Sequence, residues 1–167
     1  MDVLSAGTAL GRREAARAEL ARLVPGLGGS RVILYAPTWR DGDVDPGVPT
    51  PAEWSILVEL LKECDAMLLI RSHPLGVGEY APPPSDDRIA LMGSNLVADV
   101  TPLLPAVDAL VTDYSSMAFD ASLVPVPTVF FAPDLDTYEA RRGFYGQYRD
   151  VAGDDAARTW ADTVERL

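Results

Sequence analysis

The chain has 167 residues, a hydrophobic share of 48% and a formal net charge of −11. That length suits one domain with a proper core rather than two, and the hydrophobic share excludes a disordered chain. The acidic residues are scattered, and their excess excludes a general grip on nucleic acid or anionic lipid, so a bound phosphate would need a few local Arg residues.

Cys64 is the only cysteine and His73 the only histidine. An internal disulfide, a cysteine-based metal cluster and a histidine-rich metal site are therefore excluded, and no metal or other cofactor is expected. Cys64 falls in an apolar helical stretch and reads as a buried structural thiol. No segment approaches the ~20 apolar residues that cross a bilayer, and the N-terminus lacks a signal-peptide core, so a cytoplasmic domain is expected.

In chain order, Gly11 to Leu23 reads as a helix, stopped by Pro25 and the glycines that follow. Arg31 to Ala36 is a short apolar run with the character of a buried strand. It ends in Pro37-Thr38-Trp39-Arg40-Asp41 and a polar loop. Thr50-Pro51-Ala52-Glu53 has a capping residue, a proline at the first helical position and an acid to close a capping box. The helix it opens turns Trp54, Leu57, Val58, Leu60 and Leu61 to the core.

Ala66 to Ile70 predicts a second buried strand, running into Arg71-Ser72-His73-Pro74. The Gly/Pro-rich stretch Leu75 to Asp87, with Pro82, Pro83 and Pro84 in a row, reads as a flexible loop. Short strands are expected at Ile89–Leu91 and Val97–Asp99, a brief helix from Thr101-Pro102, and a central strand at Ala109–Val111. A helix over Ser115–Leu123, a strand at Thr128–Phe131, and helices near Leu135–Arg142 and Asp155–Arg166 complete the reading.

Strands that alternate with helices and are apolar throughout predict an α/β fold, a parallel sheet covered on both faces. Ligands of such sheets bind outside the carboxyl ends of the strands. The polar clusters fall at those ends: Thr38 and Arg40 after the first strand, Arg71 and His73 after the second, Thr112 to Ser116 after a later one. Their convergence on one edge is the main argument for a site.

Each cluster also has an ordinary explanation. Ser115 and Ser116 could cradle a phosphate at a helix start or simply cap the helix. Asp120, four residues beyond Ser116, could accept ribose hydroxyls or form a surface ion pair. Asp113 could be catalytic, though a carboxylate that holds a loop is commoner. Arg71 can fork onto phosphate oxygens, and His73 can donate to a phosphate or shuttle a proton near neutral pH. Arg40 has the same placement one strand over, and Trp39 beside it belongs to the core or offers a stacking surface. Arg142 could clamp a second phosphate, against a plain turn at Gly143 with Phe144 packed inside. A hydrolase built on Ser115, His73 and Asp113 is disfavoured, because no Gly-x-Ser-x-Gly turn surrounds the serine.

Four motifs occur in order: ILYAPTWRDG (Ile33–Gly42), RSHP (Arg71–Pro74), TDYSSMAFD (Thr112–Asp120) and YEARRGFY (Tyr138–Tyr145). Together they resemble the CDP-glycerol glycerophosphotransferase family, the primases and polymerases of teichoic-acid-type polymers. The resemblance spans about Arg31 to Tyr148. It implies the C-terminal, Rossmann-like half of a GT-B fold, which holds the CDP-linked donor, with residues 1–30 as a leading helix and linker. By that resemblance Ser115, Ser116 and Thr112 contact the pyrophosphate, with Asp113 beside them and Thr38 close by. Arg40, Arg71 and Arg142 balance its charge, His73 faces the transferred phosphorus, and Asp120 lies near the nucleotide sugar. The implied partners are CDP-glycerol or a related CDP-alditol and a lipid-linked or polymeric polyol acceptor. The acceptor-side half is missing from this sequence. The implied chain is an excised domain or a natural truncation, peripheral to the inner membrane face through that half. Alone it is expected to bind donor with little or no turnover. A catalytically inactive nucleotide-binding module is the competing expectation.

Overall fold

The computed structural model describes residues 9–73, 80–84, 86–144 and 146–167. Its elements are α1 (Ala9–Leu23), β1 (Arg31–Ala36), α2 (Pro51–Glu63), β2 (Ala66–Ile70) and β3 (Ile89–Leu91), then a 3-10 turn over Thr101–Ala106. After it come β4 (Ala109–Thr112), α3 (Met117–Ala121), β5 (Thr128–Phe130), α4 (Leu135–Arg142), α5 (Arg149–Ala152) and α6 (Trp160–Arg166). The five strands form one sheet in the order β3-β2-β1-β4-β5, with every pair parallel. The expected α/β class is what the chain adopts.

Alternation along β1 shows why both faces are covered. Val32, Leu34 and Ala36 join α1's Ala16 and Leu20 and the 3-10 turn's Leu103 and Leu104 on one side. Ile33 and Tyr35 join α2's Trp54, Leu57 and Leu61 on the other, with Phe131 and Trp160. A buried parallel sheet needs this, since neither face can meet water without stranding apolar side chains. Each such side chain, fully buried, stabilises by roughly 1.5–3 kcal/mol relative to exposure.

Local chemistry sets the ends of the elements. The Glu53 amide donates to the Thr50 hydroxyl at 3.3 Å while the Thr50 amide donates to the Glu53 carboxylate at 2.8 Å, a reciprocal cap for α2. Asp108, just ahead of β4, accepts from the Val32 amide at 2.8 Å and from Arg13 at 2.6 Å, which ties α1 to the start of both central strands.

Several expectations need correction. Residues 97–99 form no strand; Val97 and Ala98 instead offer their carbonyls to Arg71. The helix expected over Ser115–Leu123 is only five residues long, ending before Pro125. In the stretch expected as a helix from Asp155, Ala157 bridges in parallel with Phe131, and α6 starts at Trp160, capped by Thr159. The short α5 carries no strong periodic signal in sequence. Cys64 is half-buried at the C-cap of α2 rather than fully enclosed. Of the loop expected to be flexible, residues 75–79 and 85 lie outside the described residues. Tyr80, within the same stretch, is buried, and its hydroxyl donates to Asp45 at 2.5 Å. Pro74 and Tyr145 of the quoted motifs also lie outside.

Tyr35, Tyr80, Phe131 and Trp160 form an aromatic cluster beneath the loop that follows β1, with Tyr35 and Trp160 centroids 5.0 Å apart. Trp160 Nε1 donates to the Gly47 carbonyl at 2.9 Å, and a Cβ on Gly47 would lie 2.0 Å from the Tyr35 hydroxyl oxygen. Only glycine lets the backbone approach that closely. Gly47→Ala is therefore expected to lower unfolding free energy by about 1–3 kcal/mol, the usual cost of overpacking, as read from urea denaturation.

Candidate functional site

The order in which strands are added reverses at β1. The chain leaves β1 toward β2 on one side, and β4 pairs on the other. Backbone loops diverge there and leave a crevice beyond the carboxyl ends. A cavity of about 330 Å³ occupies that position, lined by Pro37, Arg71, Ser72, His73, Ser94 and Ser115 among others. Three separated motifs thus meet in one place.

The loop after β4 brings a hydroxyl to the cavity. The Met117 amide donates to Ser115 Oγ at 3.2 Å and the Ala118 amide to the Ser115 carbonyl at 3.2 Å. Ser115 therefore takes the capping role, while the side chain of Ser116, at the N-cap position itself, is exposed and caps nothing. The amides of Ser115 and Ser116 donate to no acceptor among the described residues. A five-residue helix has little macrodipole, so these local N–H groups, rather than the helix as a whole, supply attraction for an anion.

Arg71 is held by carbonyls rather than carboxylates. Its guanidinium donates to the Val97 oxygen at 2.7 Å and the Ala98 oxygen at 3.1 Å. Burial lowers its pKa and the nearby Asp99 charge opposes that, yet the group stays charged. No carboxylate lies within salt-bridge distance of it among the described residues, and it lines the cavity wall. His73 is exposed and stacks on Trp39, centroids 5.3 Å apart at 20°. Trp39 is accordingly a stacking surface and not core.

Thr38, Arg40, Thr112 and Asp113 sit differently from the sequence expectation. Thr112 is fully buried and its hydroxyl donates to the Ala36 carbonyl at 2.7 Å, which ties β4 to β1 and removes it from any ligand. Asp113, 3% exposed, accepts from the Thr38 amide at 2.8 Å, the Thr38 hydroxyl at 2.7 Å and the Tyr114 amide at 2.6 Å. Arg40 Nη2 reaches the same carboxylate at 2.7 Å, while its Nε and Nη2 reach Asp134 at 2.9 and 3.0 Å. Its Nη1 donates to the Thr38 carbonyl. The Arg40 side chain is only 6% exposed with two carboxylates against it, and it borders the cavity shared with Asp41, Asp134 and Arg142 rather than the one lined by Arg71 and Ser115.

Asp120 lies further along α3 and does not line the cavity. Arg142 pairs with Asp41 and borders a separate cavity of about 340 Å³ between the loop after β1 and α4, beside an Arg141–Asp43 pair at 2.7 Å. Those charges are already matched one to one.

The sequence reading gave no role to Asp134, Tyr114, Tyr138 and Tyr148. The Tyr114 hydroxyl donates to Asp134 at 3.0 Å and its ring stacks on Tyr138 at 4.0 Å. Arg40 lies 5.0 Å from the Tyr114 centroid and 5.1 Å from that of Tyr138. The Tyr148 hydroxyl donates to the Asp113 carbonyl at 3.2 Å. Asp134 stands just past β5, as Asp113 stands just past β4, and that shared placement was the available signal.

The family model for CDP-Glycerol:Poly(glycerophosphate) glycerophosphotransferase matches residues 9–167. The chain belongs to that family. It is 36% identical over 123 residues to a teichoic acid glycerol-phosphate transferase of Staphylococcus aureus, covering 71% of this chain and 31% of that protein. It is 34% identical over 129 residues to a teichoic acid ribitol-phosphate primase of Bacillus spizizenii, covering 76% and 32%. A variant of the wall teichoic acid polymerase TagF superposes with a TM-score of 0.74 at 27% identity, over 99% of this chain and 40% of that one. A variant soaked with CDPG gives 0.70 at 28%, over 92% and 38%. The chain therefore spans about a third of the length of these curated relatives.

Burial raises the pKa of Asp134, but the hydrogen bond and charge of Arg40 and the Tyr114 hydroxyl outweigh it, so the carboxyl stays below its ordinary value. A folded value below the unfolded one contributes stability above about pH 4, which is lost as pH falls through the folded value. Asp134→Asn is expected to cost about 1–3 kcal/mol at pH 7, the worth of a hydrogen bond to a charged group. Its stability deficit in chemical denaturation should shrink below pH 4; a deficit independent of pH would contradict the ion pair.

Proposed function

We propose that this chain is the donor-binding half of a glycerophosphotransferase of teichoic-acid-type polymer synthesis. The observation that carries the reading is the meeting of Arg71, His73 and Ser115 on one cavity at the sheet's switch point, beside two amides with no acceptor among the described residues. A pyrophosphate matches that set. The amides and the Ser115 and Ser116 hydroxyls donate to its oxygens, the Arg71 charge opposes its own, and His73 adds a donor. The solved relative soaked with CDPG and the glycerol- and ribitol-phosphate enzymes among the relatives support a CDP-alditol as donor and a polyol as acceptor.

In the reaction an acceptor hydroxyl attacks the alditol-bearing phosphorus. The bond from that phosphorus to the bridging oxygen breaks, and CMP leaves with the electron pair. His73, at the cavity mouth, faces the phosphorus and takes up the hydroxyl proton. Positioning and charge neutralisation supply most of the rate, because phosphoryl transfer asks for little covalent help from the protein. The acceptor, lipid-linked or polymeric, is met by the half that the longer relatives carry, in cis or in trans, and turnover by this chain alone is low. Asp120 remains the candidate for the ribose.

Calorimetric titration with CMP, CDP-glycerol and CDP-ribitol tests the reading. The CDP-alditols should bind more tightly than CMP, and Arg71→Ala and Ser115→Ala should each weaken binding about tenfold or more, the worth of a charge-assisted hydrogen bond. Unchanged affinity in both variants would put the site elsewhere. Tight binding with no transfer, even with an acceptor half supplied, would leave a nucleotide-binding module without catalysis.

A further inference from the structure

Arg40 stands where an anion ligand was expected, yet its bonding is entirely internal. We propose that Arg40, Asp134 and Tyr114 form a positioning clamp that sets the Ser115–Ser116 loop for the ligand, an inference that rests on the donor-binding reading above. The clamp joins three loops. Arg40 comes from the loop after β1, Asp113 and Tyr114 from the loop after β4, and Asp134 from the turn after β5. Arg40 Nη2 bridges Asp113 and Asp134, at 2.7 and 3.0 Å, and Tyr114 closes the circuit to Asp134 at 3.0 Å. The Asp113 carboxylate, which accepts from the Thr38 amide and hydroxyl and from the Tyr114 amide, fixes the start of the segment that presents Ser115 two residues later.

Planarity is what suits Arg40 to this. A guanidinium can bond two carboxylates and a carbonyl in one plane while its faces meet aromatic rings, here Tyr114 and Tyr138. Lysine has neither the fork nor the flat faces. Charge matters as well. An uncompensated Asp113 next to a diphosphate cavity would repel the ligand, and Arg40, shared with Asp134, offsets part of that charge without touching the ligand. Arg40 is thus a positioning residue, whereas Arg71 faces the cavity.

The decisive variant is Asp134→Asn, because two roles for Arg40 predict opposite signs. As a clamp member, losing Asp134 loosens Arg40 and weakens CDP-glycerol binding, by about tenfold for a coupled network of this kind. As a phosphate ligand, Arg40 would be released from a competing carboxylate, and binding would tighten or hold. Tyr114→Phe removes one hydroxyl and keeps the ring, and it should weaken binding several-fold in a chain that still folds. Calorimetry is run well below each variant's thermal midpoint, so a purely structural role would lower the midpoint and leave affinity alone. In a double-mutant cycle, Asp134→Asn and Ser115→Ala should be strongly non-additive, since a displaced loop gains little from its hydroxyl. If the native chain fails to bind CDP-glycerol, the donor reading falls and the clamp with it. If it binds, but Asp134→Asn binds as well or better, or the cycle is additive, the clamp alone is overturned.

Discussion

The buried Asp113 carboxylate organises the carboxyl-end edge of the sheet. A carboxylate at that depth costs several kcal/mol in lost hydration unless its oxygens are satisfied and its charge matched. Here four donors converge on it: the Thr38 amide and hydroxyl, the Tyr114 amide and Arg40. Each comes from a loop that would otherwise be held at one end only. Satisfying the carboxylate therefore fixes the exits of β1 and β4 relative to one another, on either side of the crevice. The rigidity of the site follows from an electrostatic necessity and not from packing alone.

Arg40 extends that logic to a third loop. It carries one positive charge against two carboxylates, so the group as a whole keeps one net negative charge. The donors at the proposed site are instead Arg71, held by neutral carbonyls, and backbone amides beside Ser115. This division suits a strongly acidic chain. With a net charge of −11, the general field disfavours phosphates, and an anion site needs a few donors whose effect is short-ranged and unshared.

Much of the framework was legible because its signals are local. β1, β2, β3 and α4 fall where apolar runs and helix-compatible composition put them, and the Thr50 cap of α2 has the bonding that its four-residue pattern implies. Strand edges that abut polar clusters pointed to the carboxyl-end rim, and the cavity bordered by Arg71, His73 and Ser115 lies there. The short helix after Ser116 was overestimated, because periodicity says nothing about a turn that Pro125 and tertiary contacts cut early. The expected strand at Val97–Asp99 failed for a related reason: an apolar alternation there serves loop packing, and its carbonyls are needed by Arg71.

By itself, the sequence determined the α/β class, the strand ends that carry polar residues and the family to which the chain belongs, since each is written in short patterns. What only the tertiary structure decided is which of those polar residues line the cavity with Ser115 and Arg71 and which are turned to protein partners. Thr112 and Arg40 have the same chemistry and the same strand-end placement as Ser115 and Arg71. Yet Thr112 is turned inward to Ala36, and Arg40 is enclosed by Asp113 and Asp134. Partners from other loops, more than seventy residues away in the chain, make that difference. No local pattern records which distant carboxylate a guanidinium will meet.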